Sequence, residues 1–222
     1  MTRRESLLGW SYLLISIFVL PVVLVFLNAI LGKPMSDTVL NLALLWVNFG
    51  AVTVIFHRFL ISSLKLATDH FWRCLRFAFF GFGLYYLVSI VIAQIIGVFF
   101  PDFSNVNDEA VMGLFQEHPD MMAFTTVFLV PITEETLYRG LFFQGFQRKN
   151  RVFAYCLSTV VFAGIHIISY IGRTDFLTLL ICFIQYLPAG ICFAWVYVKA
   201  DSVWAPILMH MANNHIAMFV TR

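Results

Sequence analysis

The sequence predicts an all-α protein that crosses a membrane several times, a polytopic transmembrane helix bundle. Of its 222 residues, 61% are apolar and only 12% are charged, whereas soluble domains carry about 45–50% apolar and about 25% charged residues. A chain with so few charges cannot cover itself with a hydrated surface, so the composition excludes a soluble domain and a disordered segment. The formal net charge is only +2, which gives no indication of a nucleic-acid partner.

Apolar stretches long enough to span a bilayer recur along the chain, since a spanning helix needs about 20 mostly apolar residues. The stretches lie at about 8–31, 39–63, 75–100, 121–147, 151–170, 176–198 and 203–220. The first is longer than the ~7–15-residue core of a signal peptide, so we expect a span that is retained. The sixth contains Pro188 and Gly190 and is either one kinked helix or two short ones. The predicted count is therefore seven or eight spans.

Basic residues are concentrated in one set of predicted loops. They are Arg3, Arg4, Arg58, Lys65, Arg73, Arg76, Arg148, Lys149 and Arg151. The 101–120 loop instead has several acidic residues and no Lys or Arg. Because cytoplasmic loops carry an excess of Lys and Arg, we expect the N-terminus and the 58–74 and 148–151 loops in the cytoplasm. We predict one transmembrane domain over residues 1–222, and we interpret the 101–120 loop as a connector that could hold a short helix at Gly113.

Ionisable and amide side chains interrupt three of the later predicted spans. They are Glu134, Glu135, Arg139, His166, His210 and Asn214. Each charged group costs about 2.5–3.5 kcal/mol at the centre of a spanning helix on insertion scales, and such residues commonly mark functional sites. The alternative is that they merely tie helices together.

The fourth predicted span carries two adjacent acidic residues with different expected roles. Glu135 and Arg139 are four residues apart, so they share a helix face and can form an ion pair. Glu134 lies about 100° further round the helix and is left free for chemistry. Pro131, one turn earlier, removes a backbone hydrogen bond, and we expect it to open the helix beside Glu134.

Glu134 and His166 are expected at the same depth in the membrane. The 148–151 turn makes the fourth and fifth predicted spans an antiparallel pair. At a rise of ~1.5 Å per residue, both side chains lie roughly 22–24 Å from the centre of that turn. A carboxylate and an imidazole at one level are a candidate general-base pair. On the last span, His210 and Asn214 are four residues apart and share a face.

Peptide hydrolysis is a reaction that suits this set of residues. Glu134 with His166 could deprotonate a water molecule, and His210 and Asn214 could hold the tetrahedral oxyanion. Alternatively, Glu134, His166 and His210 could ligate a zinc ion that activates the water, a His₂Glu set with one open position. The residues leave both alternatives open, so the expected cofactor is zinc or none.

Three motifs together resemble those of the CPBP (ABI) family of intramembrane proteases and metalloproteases, which includes the type II CAAX prenyl endopeptidases. They are E-E-x-x-x-R at 134–139, F-x-x-x-H at 162–166 and H-x-x-x-N at 210–214, and they lie in a catalytic half of about residues 120–218. The resemblance implies an eight-helix protease whose site opens toward the cytoplasm, and we expect the protein in a bacterial plasma membrane. It assigns water activation to Glu134 and His166, oxyanion stabilisation to His210 and Asn214, and supporting or substrate-positioning roles to Glu135, Arg139 and Phe162.

The resulting hypothesis is an intramembrane endopeptidase that cuts a peptide or lipidated protein near the cytoplasmic face. Its expected partners are membrane lipid and that substrate, with no nucleic acid. The alternative is a non-catalytic immunity or partner-binding protein, or a proton-coupled transporter that uses the same buried polar residues. Transporters commonly show a repeat between their halves, whereas here the polar residues of the spans lie only in the second half.

Overall fold

The structure, a computed structural model, describes residues 1–32 and 34–220, and this part of the chain is helical with short connections. The helices are α1 (Arg3–Ile30), α2 (Asp37–Ile55), α3 (His57–Asp69), α4 (Phe71–Phe99), α5 (Val106–Glu117), α6 (119–147), α7 (Arg151–Tyr170), α8 (Phe176–Ala200) and α9 (Trp204–Val220). Short π-helical turns interrupt α1 and α6. The predicted all-α class is confirmed.

Side chains before several helices satisfy backbone N–H groups that have no partner within the first turn. Before α1, the Thr2 hydroxyl accepts from the Glu5 N–H while the Glu5 carboxylate accepts from the Thr2 N–H. The side chains of Asn105, Asn150 and Asp175 accept from N–H groups in the first turns of α5, α7 and α8. These caps set where each helix begins, because an unpaired donor is costly away from water.

Five helices in the described part of the chain are long and apolar enough to cross a membrane: α1, α2, α4, α7 and α8. Helix α6 carries buried charges, and α9 has 17 residues, so the predicted count of seven or eight spans is not established. The predicted span 39–63 is wrong in its extent. Helix α2 ends at Ile55, where Phe56 leaves helical geometry, and α3 follows as a separate amphipathic helix.

Helix α8 is a single helix although it contains Pro188. It continues without interruption from Phe176 to Ala200 with Pro188 inside it, so the split into two short helices, which the resemblance to eight-helix proteases favours, is absent. Spanning helices tolerate Pro because neighbouring groups compensate the freed carbonyl. Helix α8 packs most extensively on α7 and α4, and its Gly190 lies directly against Thr159 of α7.

The two ends of the bundle differ in charge. The basic end holds the start of α1, helix α3 and the α6–α7 and α8–α9 turns, which carry most of the basic residues, and the acidic end holds residues 101–120. A buried apolar cluster, the basic-end core, fills the bundle near the basic end. It comprises Val52, Phe56, Phe59, Leu60, Leu137, Leu141, Phe143, Ala154, Ala194, Tyr197, Val203 and Ile207.

Candidate active site

A cavity of about 510 Å³ lies within the bundle, lined by residues of α2 and of α4 to α9. Glu134, His166, His210 and Asn214 all line it. The structure thus brings the four predicted catalytic side chains to one cavity from three separate helices, α6, α7 and α9. Phe162 and Phe193 also line it, so its inner wall is apolar around the ionisable groups.

Glu134 lines this cavity and has a carboxylate oxygen without a partner. Its Oε2 atom is shielded from solvent and has no hydrogen-bond partner among the described residues. A buried oxygen without a partner is costly unless a water molecule or a ligand satisfies it. The Glu134 carboxylate is therefore not used in an ion pair, in agreement with its predicted position on a different helix face from Glu135.

Glu135, one residue further, is fully buried and engaged on both oxygens. Oε2 lies 3.0 Å from Arg139 Nε, and Oε1 lies 3.0 Å from His210 Nδ1. The predicted ion pair within α6 is present, and the same carboxylate also holds the imidazole of α9. The second contact is not predictable from spacing along one helix.

Arg139 ties α6 to its neighbours. Its Nη1 donates to Ser158 Oγ of α7 at 3.3 Å, and its guanidinium carbon lies 5.2 Å from the ring centre of Phe162 and 5.6 Å from that of Phe193. Arginine over an aromatic face is attracted by the ring quadrupole. Arg139 therefore contacts both α7 and α8 beside the cavity, and the supporting role predicted for it stays a prediction.

His166 is fixed in one orientation by Phe162 of the same motif. Its Nδ1 lies 2.7 Å from the Phe162 carbonyl oxygen, which can only accept, so Nδ1 carries the proton and Nε2 of the neutral ring has a free lone pair. The imidazole also packs between two rings, with centres 4.7 Å away at Phe162 and 4.3 Å away at Tyr186. Phe162 thus acts through both its backbone and its ring.

Helix α5 reaches the active site through Tyr186, which stacks on His166. The Tyr186 hydroxyl donates to Asp108 Oδ1 at 2.9 Å, and Asn107 Nδ2 donates to the same hydroxyl at 3.0 Å. The 101–120 loop is therefore more than a connector, because its helix forms part of the cavity wall. Sequence reasoning missed Asn107, Asp108 and Tyr186, since no motif spacing links them to His166.

Asp108 stands where α5 meets the cavity. Its side chain keeps access to solvent, but the protein atoms crowded around its carboxyl desolvate it and raise its pKa, an effect that the hydrogen bond from Tyr186 partly offsets. The tyrosine hydroxyl donates to the carboxylate, so the contact is retained wherever Asp108 is ionised.

Asn214 is bound by a backbone carbonyl of α6 that has no N–H partner within the helix. Its Nδ2 donates to the Thr126 carbonyl oxygen at 2.8 Å. Thr126 lies in a π-helical turn. In such a turn each carbonyl accepts from the N–H of the residue five positions later. For Thr126 that residue is Pro131, which has no N–H. The predicted opening of the helix near Pro131 is present, and Asn214 occupies it.

His210 completes the set, with its ring stacked on Phe193 at 4.8 Å and its Nδ1 on Glu135. Both site histidines thus direct Nδ1 to an acceptor and leave Nε2 free, as metal-ligating histidines also do. However, the described residues contain no group of three or more His, Cys, Asp or Glu side chains arranged to hold a metal ion. The predicted zinc set of Glu134, His166 and His210 is not assembled in this structure, and we assign no step to a metal.

In the described part of the chain, the exposed residues that line the cavity lie at one end of the bundle. They include Asn41, Asp108 and Ala217, near the start of α2, on α5 and near the end of α9. All three positions are at the acidic end. No residue of the basic-end core lines the cavity, so this packed cluster closes the site toward the basic end.

The sequence of this half of the molecule matches a known family. Residues 117–216 match the family model described as type II CAAX prenyl endopeptidase Rce1-like, and the matched segment contains all three motifs. This segment of the chain is therefore similar to the Rce1-like family. The Rce1-like segment includes α6 to α8 and most of α9, the helices that carry the four cavity residues named above.

A curated relative matches as well. It is the inferred membrane peptidase YdiL of Bacillus subtilis (strain 168), 28% identical over 109 residues, which are 49% of this chain and 40% of the relative. The chain therefore aligns with less than half the length of this relative. No solved structure matches the chain. Together with the apolar helices, the Rce1-like match identifies an integral membrane protein.

Proposed function

We propose that this protein is an intramembrane endopeptidase that hydrolyses a peptide bond of a membrane-associated or lipidated peptide. The observation that carries the proposal is that Glu134, whose Oε2 has no hydrogen-bond partner among the described residues, lines one cavity with His166, whose Nδ1 is held by the Phe162 carbonyl. The match of residues 117–216 to the Rce1-like family model supports it. The protein would use a water molecule as the nucleophile, without a covalent intermediate.

Glu134 acts as the general base in this mechanism. A water molecule donates one hydrogen bond to Glu134 and the other to Nε2 of His166. As the water oxygen attacks the carbonyl carbon, Glu134 takes its proton and the carbonyl π electrons move onto oxygen. When the C–N bond breaks, Glu134 returns the proton to the leaving amine, so the residue ends in its starting state.

His210 and Asn214 stabilise the oxyanion. One Nδ2 hydrogen of Asn214 is used by Thr126, which fixes the amide and leaves its second hydrogen for the developing charge. The contact of His210 Nδ1 with Glu135 orients the ring toward the same oxygen, to which Nε2 donates when it also carries a proton. Donors that are already oriented need no rearrangement as charge develops, which is the main source of their effect.

The substitution Glu134→Gln tests the proposal. It preserves shape and removes the base, so we expect hydrolysis to fall by at least about 10²-fold while thermal unfolding in detergent is unchanged, because Oε2 has no partner to lose. Peptides in host cells and medium are compared for wild type and variant at matched expression. Peptides released only by the wild type would establish the protease, and their ends would define the substrate.

An unchanged peptide profile would contradict this proposal, provided that both proteins are folded. A biological effect that persists in Glu134→Gln would then support the non-catalytic alternative, an immunity or partner-binding protein. Solute flux in liposomes would instead support a transporter. Each outcome separates one class of function from the others.

A further inference from the structure

We propose that the active-site cavity opens to the side of the membrane opposite the cytoplasm, so that the substrates are peptide segments exposed on that outer side. The inference rests on the proposed function in assuming that the cavity binds a peptide substrate. The direction in which the cavity opens is argued separately, from packing and charge. It replaces the cytoplasmic opening that the family resemblance implies.

The packing of the basic end gives the first argument. Between the site and this end lie fully buried side chains from several helices, including Phe56, Phe143, Val203 and Ile207. Leu137, one turn after Glu134, belongs to the same cluster. Protein interiors pack as densely as organic crystals, so this cluster leaves no path for a peptide from the basic end to the carboxylate.

Helix α3 closes the same end from outside with specific hydrogen bonds. Ser63 Oγ accepts from the Val203 N–H at 2.8 Å, and the Ser202 hydroxyl donates to the Ser63 carbonyl at 2.8 Å. Trp204 Nε1 donates to the Leu60 carbonyl at 3.0 Å. These bonds fasten α3 across the start of α9, so entry from this end would require breaking buried polar contacts.

Charge identifies which side of the membrane this closed end faces. The elements that form it carry Arg58 and Lys65 on α3, Arg148 and Lys149 at the α6–α7 turn, and Lys199 before the α8–α9 turn. Short loops rich in Lys and Arg remain in the cytoplasm. The closed end is therefore the cytoplasmic one.

The open end has the opposite character. Its 101–120 segment contains Asp102, Asp108, Glu109, Glu117 and Asp120. Among the described residues, Arg173 between α7 and α8 is a basic residue at this end, too little to reverse the asymmetry. The rim of the cavity therefore faces the outer side.

This direction selects a class of substrate. A peptide must reach Glu134 past α5 and the ends of α2 and α9, so the scissile bond belongs to an exported peptide or to the outer juxtamembrane segment of an anchored protein. A lipidated tail that remains in the cytoplasm cannot reach the site. The lipid-bearing substrates left are those whose anchor lies in the outer leaflet.

Cysteine labelling tests the inference without any turnover. In a Cys156→Ser background, which removes the exposed native thiol and leaves three buried ones, Ala217→Cys places a thiol on the rim and Lys149→Cys places one at the α6–α7 turn. A membrane-impermeant maleimide is added to bacterial spheroplasts before and after permeabilisation. Asn41→Cys is a second rim position in case Ala217→Cys does not fold.

We expect the rim cysteine to be labelled in intact spheroplasts and the turn cysteine only after permeabilisation. The reverse pattern would overturn the inference. Because labelling needs no catalysis, the same pattern is expected in a Glu134→Gln background. A failure of the proposed function would therefore leave this result unchanged, and the two ideas can fail separately.

Discussion

Glu134 and Glu135 are adjacent in sequence, yet their carboxylates meet opposite surroundings. Glu135 is held by Arg139 and His210, whereas Glu134 lines the cavity and its Oε2 has no partner among the described residues. The difference follows from a rotation of about 100° per residue around the helix. One carboxylate is thereby committed to contacts within the protein, and the other is the one that we propose as the general base.

Glu135→Ala is expected to lower the stability of the folded protein. It leaves the buried guanidinium of Arg139 without its counterion, and removing one partner of a buried pair costs about 3–5 kcal/mol. Thermal unfolding and yield in detergent measure the loss. The matched control Glu134→Ala should unfold near the wild-type temperature, and equal stability of the two variants would contradict the pairing.

Tyr186→Phe is expected to slow the reaction without weakening substrate binding. The ring still stacks on His166, but its hydroxyl no longer bonds Asp108, and a lost hydrogen bond of about 1 kcal/mol corresponds to roughly a fivefold lower kcat. Tyr186 is thus a positioning residue.

The readout is kcat and KM for the substrate found by peptide comparison. Tyr86→Phe, at another tyrosine lining the cavity, is the control and should change neither constant. A raised KM with normal kcat in Tyr186→Phe would show that the hydroxyl binds substrate instead.

At the scale of elements, the pairing of α7 with α8 fixes the depth of His166. Gly190 of α8 lies against Thr159 of α7, where an added Cβ would come within 2.8 Å of Thr159 Cγ2 and 3.0 Å of its Cα. Small residues let spanning helices approach closely, and packing rather than water exclusion then holds them together.

Gly190→Ala is therefore expected to destabilise the protein by about 1–3 kcal/mol, the cost of overpacking a well-filled contact. Its control is Gly83→Ala in α4, where an added Cβ meets nothing within 4 Å; this change should be neutral or raise stability by up to about 1 kcal/mol. Thermal unfolding of both variants in one detergent makes the comparison. Equal effects would show that α7 and α8 are not in close contact.

At the scale of the whole molecule, the cavity exists because helices distant in sequence surround one space. Leu45 of α2 lines it, although α2 lies outside the Rce1-like segment. Leu45→Trp would partly fill the space. A crowding cost of about 1–3 kcal/mol corresponds to a decrease in kcat/KM of roughly 5- to 150-fold.

The control for this change is Leu87→Trp. Leu87 is 63% exposed on the outer surface of α4, so a larger side chain there should leave kcat/KM unaltered. Both variants are assayed with the same peptide. Equal activity of Leu45→Trp and the wild type would show that substrate does not enter this cavity.

The sequence by itself determined the helical membrane class, the basic and acidic loops, the Glu135–Arg139 pair and the four residues that line the cavity. These features depend on composition and on spacing within one helix, which local geometry fixes. The tertiary structure alone decided the contact of Glu135 with His210, the link from α5 through Tyr186 to His166, the unbroken course of α8 and the end at which the site opens. Each of these depends on which helices become neighbours, and no periodicity along one segment contains that information.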